Sequence, residues 1–107
     1  MKNLDTFDWF QDECRKTAIY PKSEGLTYTA LGLCGESGEY AEKIKKYIRD
    51  GKIDDQLAAK ELGDILWYVS MCAHELGYDL SEIAGMMLNK LQDRANRGVL
   101  GGSGDNR

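Results

Sequence analysis

A single proline, Pro21, stands in 107 residues, and it constrains the fold more than any other feature. Downstream of it, no residue interrupts a long helix by lacking a backbone N–H. No segment alternates apolar and polar residues with a period of two between hairpin turns. Apolar residues recur at helical spacing instead, so the expected class is all-α.

Upstream of the break at Tyr20-Pro21-Lys22-Ser23-Glu24-Gly25, Leu4, Phe7, Phe10, Cys14 and Ile19 predict a first helix over residues 5–18, capped by Thr6 or Asp5. A second is predicted from Thr27 to Asp50, with Leu26, Ala30, Leu33, Ala41, Ile44 and Ile48 apolar and Gly51 as its stop. The third starts near Asp54, capped by Asp54 or Asp55, and ends at Gly77; its apolar stripe is Leu57, Leu62, Ile65, Leu66, Val69 and Cys72. The fourth begins at Ser81, carries Ile83, Met86, Met87 and Leu91, and fades near Arg97. Residues 1–97 thus read as one helical domain and residues 98–107 as a glycine-rich tail. Four helices with short links imply a bundle, or a half-unit that pairs with a copy of itself.

At 12.0 kDa the chain is one domain with a modest core. It carries 14 Lys plus Arg against 18 Asp plus Glu, a net charge of −4. That balance argues against binding polymeric nucleic acid, which calls for a basic face. There is no apolar run of transmembrane length, and the start MKNLDTFDWF lacks the features of a signal peptide. Cys14, Cys34 and Cys72 lack CxxC spacing, so they read as reduced, mostly buried thiols of a cytoplasmic protein.

The chemistry lies in two acidic pairs. Glu36 and Glu39 fall on the second helix, Glu61 and Asp64 on the third, each pair three residues apart and so on one helix face. Were the faces to meet, each like-charge pair would cost roughly 4 kcal/mol at about 4 Å and an effective dielectric of about 20. Such a cluster calls for a cation, and all-oxygen donors suit Mg²⁺, Mn²⁺ or Ca²⁺ rather than zinc. The alternative is two solvated faces balanced by Lys43, Lys45, Lys46 and Lys60, in the manner of Glu42 and Lys46 one turn apart. Against that, the pairs adjoin Leu33, Ile65, Leu66 and Trp67, and Gly35, Gly38 and Gly63 are interleaved with them. Glycine within a helix costs about 1 kcal/mol against alanine, so these glycines suggest close helix approach or room for a ligand.

The stretch from Ala30 to Lys46, containing Gly35-Glu36-Ser37-Gly38-Glu39, resembles the first signature of the MazG-like nucleotide pyrophosphohydrolases. Glu61-Leu62-Gly63-Asp64-Ile65-Leu66-Trp67-Tyr68 resembles the second, after a spacer of residues 40–60. Phe10-Gln11, Lys16-Thr17-Ala18 and the stretch from Glu75 to Leu80 resemble further parts of that family, so the likeness runs over roughly residues 5–107. It implies a four-helix MazG-like bundle completed by self-association, as a dimer or tetramer. It also implies cleavage of a nucleoside or deoxynucleoside triphosphate between the α and β phosphates, giving monophosphate and pyrophosphate. Glu36, Glu39, Glu61 and Asp64 become the Mg²⁺ ligands and catalytic carboxylates, with Mn²⁺ a plausible substitute, and Glu39 is the favoured base. A divalent cation suits this chemistry because it activates water and offsets phosphate charge.

Lys90, Arg94 and Arg97 share one face of the fourth helix, either as a solvated basic face at a helix C-terminus or as triphosphate contacts. The tail ending Gly102-Ser103-Gly104-Asp105-Asn106-Arg107 resembles one MazG-like subgroup, and Asn106 or Arg107 would close over a nucleotide if the tail orders. His74 lies about 280° round the helix from Asp64, off the metal face. Trp9, Trp67 and Tyr68 can each stack on a base, or pack in the core or between subunits; Trp9 is the favoured base contact. A non-catalytic helical dimerisation module is the alternative function. A di-metal redox bundle is disfavoured because Glu-x-x-His pairs are missing.

Overall fold

The computed structural model describes residues 6–107, and all its regular elements are helical. Helix α1 spans Phe7–Arg15, α2 Gly25–Asp50, α3 Asp55–Glu75 and α4 Leu80–Asn96, with a 3₁₀ turn at Lys22–Glu24 before α2. The all-α expectation therefore holds among the described residues. Leu4 and Asp5, invoked for the first helix, lie outside them.

Helix α1 ends earlier than expected. The amides of Lys16, Thr17 and Ala18 bond back three residues, to Glu13, Cys14 and Arg15, and this tightened turn replaces the last helical residues. Helix α2 starts at Gly25, two residues before the expected Thr27, because the 3₁₀ turn feeds straight into it. The stops behave as read. Gly51 takes a φ of 78° and returns its N–H to the Tyr47 carbonyl at 2.7 Å. Asp54 caps α3, accepting from the amides of Gln56 and Leu57. Asp79 and Glu82 form a reciprocal capping box that starts α4 at Leu80.

The short link at residues 51–54 folds α3 back along α2, which makes the main helix pair. Helices α1 and α4 pack on α3 and on each other, but not on α2. Gln11 fastens this second unit. Its buried amide donates to the carbonyls of Ser70 and Tyr78, at 3.2 and 3.1 Å, and its oxygen accepts from the Leu80 N–H. Asp8 accepts from both the amide and the hydroxyl of Ser81 at the start of α4.

The core is thin. Its buried apolar residues are Cys14, Tyr20, Ala58, Met71, Ala73 and Leu80. Much of the expected stripe is exposed instead: Leu57, Leu62 and Leu66 on α3, and Leu26, Ile44 and Ile48 on α2. The accessible surface is 7810 Å², against about 6,000 Å² for a compact monomer of this mass. The radius of gyration is 16.5 Å, against about 13 Å for a compact chain of this length. The physical reason is that, among the described helices, α2 packs on α3 alone. Cys34 is likewise exposed, contrary to the expectation of mostly buried thiols, while Cys14 is buried. No helix among the described residues is long and apolar enough to cross a membrane.

Candidate metal centre

The packing of α2 on α3 brings Glu36, Glu61 and Asp64 together. Each offers a carboxylate oxygen, and these oxygens all lie within 4.8 Å of one another. Glu36 and Glu61 are half-buried and Asp64 is exposed. Glu39, one turn along α2, lies outside this close group but adds its charge to it. Partial burial, then repulsion by Asp64, Glu61 and Glu39, pushes the Glu36 carboxyl above the ordinary glutamate range, with a hydrogen bond to Glu61 acting in the same direction. Lys43 supplies the nearest compensation, its Nζ 3.9 Å from Glu61 Oε1.

The interleaved glycines do not mark close helix approach. A Cβ placed on Gly35, Gly38 or Gly63 meets nothing within 4 Å, so they leave open space around the acids. The close approach lies one turn earlier, at Gly32, where a Cβ would sit 2.1 Å from the Tyr68 ring. That ring can lie against the α2 backbone only because position 32 has no side chain.

A cavity of about 330 Å³ opens beside the carboxylates, lined by Thr17, Ile19, Tyr20, Tyr28, Glu36, Asp64, Trp67 and Tyr68. Its walls are aromatic. Tyr20 and Tyr28 stack with centroids 5.0 Å apart, and Trp67 meets Tyr68 edge-on at 4.9 Å. Tyr20 is anchored by its hydroxyl, which donates to Glu75 Oε2 over 2.6 Å. Burial, then contact with Tyr28 and the charges of Glu36 and Asp64, raises the Tyr68 phenol above its ordinary range. The size falls within the roughly 300–1,000 Å³ of small-molecule sites, and two of the clustered carboxylates, Glu36 and Asp64, are part of the lining.

The other candidate residues lie elsewhere. Trp9 lines a separate hollow with Asp12, Glu13, Arg15 and Lys16. His74 is exposed, in another hollow with Tyr20 and Glu75. Lys90, Arg94 and Arg97 gather with the tail rather than with the carboxylates. Lys90 Nζ lies 2.7 Å from Asp105 Oδ1, and buried Arg94 donates to the Asp105 carbonyl at 2.7 Å. Arg97 pairs with Asp93 and also donates to the Arg107 carbonyl oxygen. The Arg107 guanidinium donates to the carbonyls of Val99, Leu100, Gly101 and Gly104, closing the tail on itself. The tail is thus ordered, through contacts within the chain. Thr17, Ile19, Tyr20 and Tyr28 are the lining residues that sequence reasoning did not assign to the site, although Lys16-Thr17-Ala18 belongs to the stretch of family likeness; the path of the chain after α1 brings Thr17 and Tyr20 into the same cavity as Glu36 and Asp64.

A family model for the MazG nucleotide pyrophosphohydrolase domain matches residues 24–99, which contain both acidic pairs. The chain belongs to the MazG nucleotide pyrophosphohydrolase family. The matched MazG segment starts at the 3₁₀ turn and runs through α4, leaving α1 and most of the tail outside it. The chain is also 48% identical over 112 residues to the Gene 37 protein of Mycobacterium phage L5, covering 94% of this chain and 97% of that one. No solved structure shows a significant match to this MazG chain.

Proposed function

We propose that this protein hydrolyses nucleoside or deoxynucleoside triphosphates between the α and β phosphates, releasing monophosphate and pyrophosphate, with Mg²⁺ as cofactor. The observation that carries this reading is the convergence of Glu36, Glu61 and Asp64 from two helices. Three hard oxygen donors this close repel unless a cation joins them, and the set fits Mg²⁺ or Mn²⁺. The cation would supply charge neutralisation at the phosphates and a more acidic water.

Within this reading Glu36, Glu61 and Asp64 hold the ion. Glu39, beside them but outside the close group, orients the attacking water and takes its proton. The adjoining aromatic cavity receives the nucleobase, with Trp67 and Tyr68 among its walls. Lys90, Arg94, Arg97 and Arg107 serve phosphate only where Asp105 yields its place beside Lys90 and Arg94. The uncovered apolar residues of α2, α3 and α4 are covered by further copies of the chain, in a dimer or tetramer.

The test is pyrophosphate release from a panel of NTPs and dNTPs, with Mg²⁺ and with EDTA. Glu39→Gln should abolish release while keeping most of the Mg²⁺ response in a thermal melt. Silence across the panel would favour a non-catalytic dimerisation module. A 12 kDa particle by light scattering at micromolar concentration would refute the assembly.

A further inference from the structure

We infer that Thr17 is a positioning residue for the aromatic cavity, holding the Trp67 indole so that its ring face lines the space a nucleobase takes. The inference rests on the nucleotide reading above. The Trp67 Nε1–H donates to Thr17 Oγ1 over 2.9 Å, and the Thr17 hydroxyl donates in turn to the Cys14 carbonyl, also at 2.9 Å. One hydroxyl thus joins the last turn of α1 to the middle of α3, acting as donor on one side and acceptor on the other.

The indole N–H is the only strong hydrogen-bonding group that tryptophan has, and it only donates. With that group committed to Thr17, Trp67 offers the cavity a π-face and no polar handle, which suits stacking on a base of any identity. The Tyr68 and Tyr20 rings lie nearly perpendicular to the indole, with centroids 4.9 and 6.5 Å from it. Thr17 fixes its polar end. Base and metal sites therefore come from different parts of the chain: the carboxylates from α2 and α3, the hold on Trp67 from the turn after α1. Thr17 precedes residue 24, where the family match begins, and lies outside both acidic motifs.

The probes are the nucleosides deoxycytidine, thymidine, deoxyadenosine and deoxyguanosine, titrated against tryptophan fluorescence without metal or triphosphate. The Trp67 signal is the part of the quenching lost in Trp67→Phe. Thr17→Val keeps the shape but removes both hydrogen bonds, and should weaken nucleoside affinity about threefold to tenfold. Thr17→Ser retains the hydroxyl and should stay within about twofold of the parent. In the Trp67→Phe background, with nucleoside affinity read by calorimetry instead of fluorescence, Thr17→Val should cost nothing further. With a triphosphate substrate the same variant should raise KM and leave kcat nearly unchanged. Should Thr17→Val not fold, Thr17→Ala carries the test. Parent-like affinity in the folded variant overturns the inference. So does an equal loss in the Trp67→Phe background, or an absence of quenching in the parent. Failure of the hydrolase reading shows separately, as no pyrophosphate from any triphosphate while nucleosides still quench and Thr17→Val still weakens them.

Discussion

Lys43 Nζ lies 3.9 Å from Glu61 Oε1, so a cation of the chain itself ties α2 to α3 at the edge of the carboxylate cluster. Both side chains are partly solvated, and such a pair contributes at most about 1 kcal/mol. Lys43→Met should therefore lower metal-free stability by no more than that. It should also enlarge the Mg²⁺-induced rise in melting temperature, because the added ion no longer competes with an ammonium. Paired melts in EDTA and Mg²⁺ check this; an unchanged Mg²⁺ response would place Lys43 outside the site's electrostatics.

Gly32 and Gly35 predict opposite outcomes from the same substitution. A Cβ at Gly32 meets the Tyr68 ring at 2.1 Å, and that ring is wedged against Trp67. Gly32→Ala should cost about 1–3 kcal/mol and move Tyr68. Gly35 has nothing within 4 Å of its Cβ position, so Gly35→Ala should raise metal-free stability by up to about 1 kcal/mol through helix propensity. Denaturant melts of both variants give the two signs.

Arg94 is buried and holds Asp105 through both its carboxylate and its carbonyl. Arg94→Ala should cost about 1–3 kcal/mol, because it strands these partners and loosens the tail. Asp105→Asn separates that structural role from phosphate binding, since it frees Lys90 and Arg94 of a competing charge while leaving both in place. If the pair serves phosphate, KM for the triphosphate falls. An unchanged KM leaves the pair as an anchor for the tail.

Helix identity, the stops at Gly51 and Gly77, the Asp54 cap and the placing of one acidic pair on each of α2 and α3 were legible because each follows from local spacing or backbone conformation; that Glu39 falls outside the close group was not. The exposure of Leu57, Leu62 and Leu66 was not, because an amphipathic pattern marks a face to be covered without saying whether this chain or another copy covers it. Neither the Lys16-Thr17-Ala18 likeness nor the break at Tyr20 marks Thr17 or Tyr20 as lining the cavity. They reach the acids only because the turn after α1 closes at residue 18 and the 3₁₀ turn redirects the chain into α2. Whether the glycine-rich tail orders was open in the sequence; the Arg107 guanidinium gathers carbonyls three to eight residues earlier and orders it.

The Glu36 carboxyl binds its proton more tightly in the folded protein than in the unfolded chain. Folding therefore takes up a proton in the window just above the ordinary value of 4.5, and this contribution to stability falls as pH rises through that window. Glu36→Gln removes it. Without metal, the stability of Glu36→Gln minus that of the parent should be small near pH 4.5, grow as pH rises through the raised pKa, and then level off. Urea titrations across that range measure the difference, and a gap independent of pH would contradict the burial and repulsion assigned to Glu36.

The most direct test of the metal-centre reading is a set of paired thermal melts of the parent and Glu36→Gln, in Mg²⁺ and in EDTA, run beside pyrophosphate release. Mg²⁺ should raise the parent's melting temperature, since an ion bound only by the folded state stabilises it by about 2.7 kcal/mol at a hundred times its Kd. In EDTA, Glu36→Gln should be at least as stable as the parent, because one repelling charge is gone. Its Mg²⁺ response should be much smaller and its pyrophosphate release lost. Equal Mg²⁺ responses and equal release in the two proteins would show that Glu36, Glu61 and Asp64 do not form a metal centre.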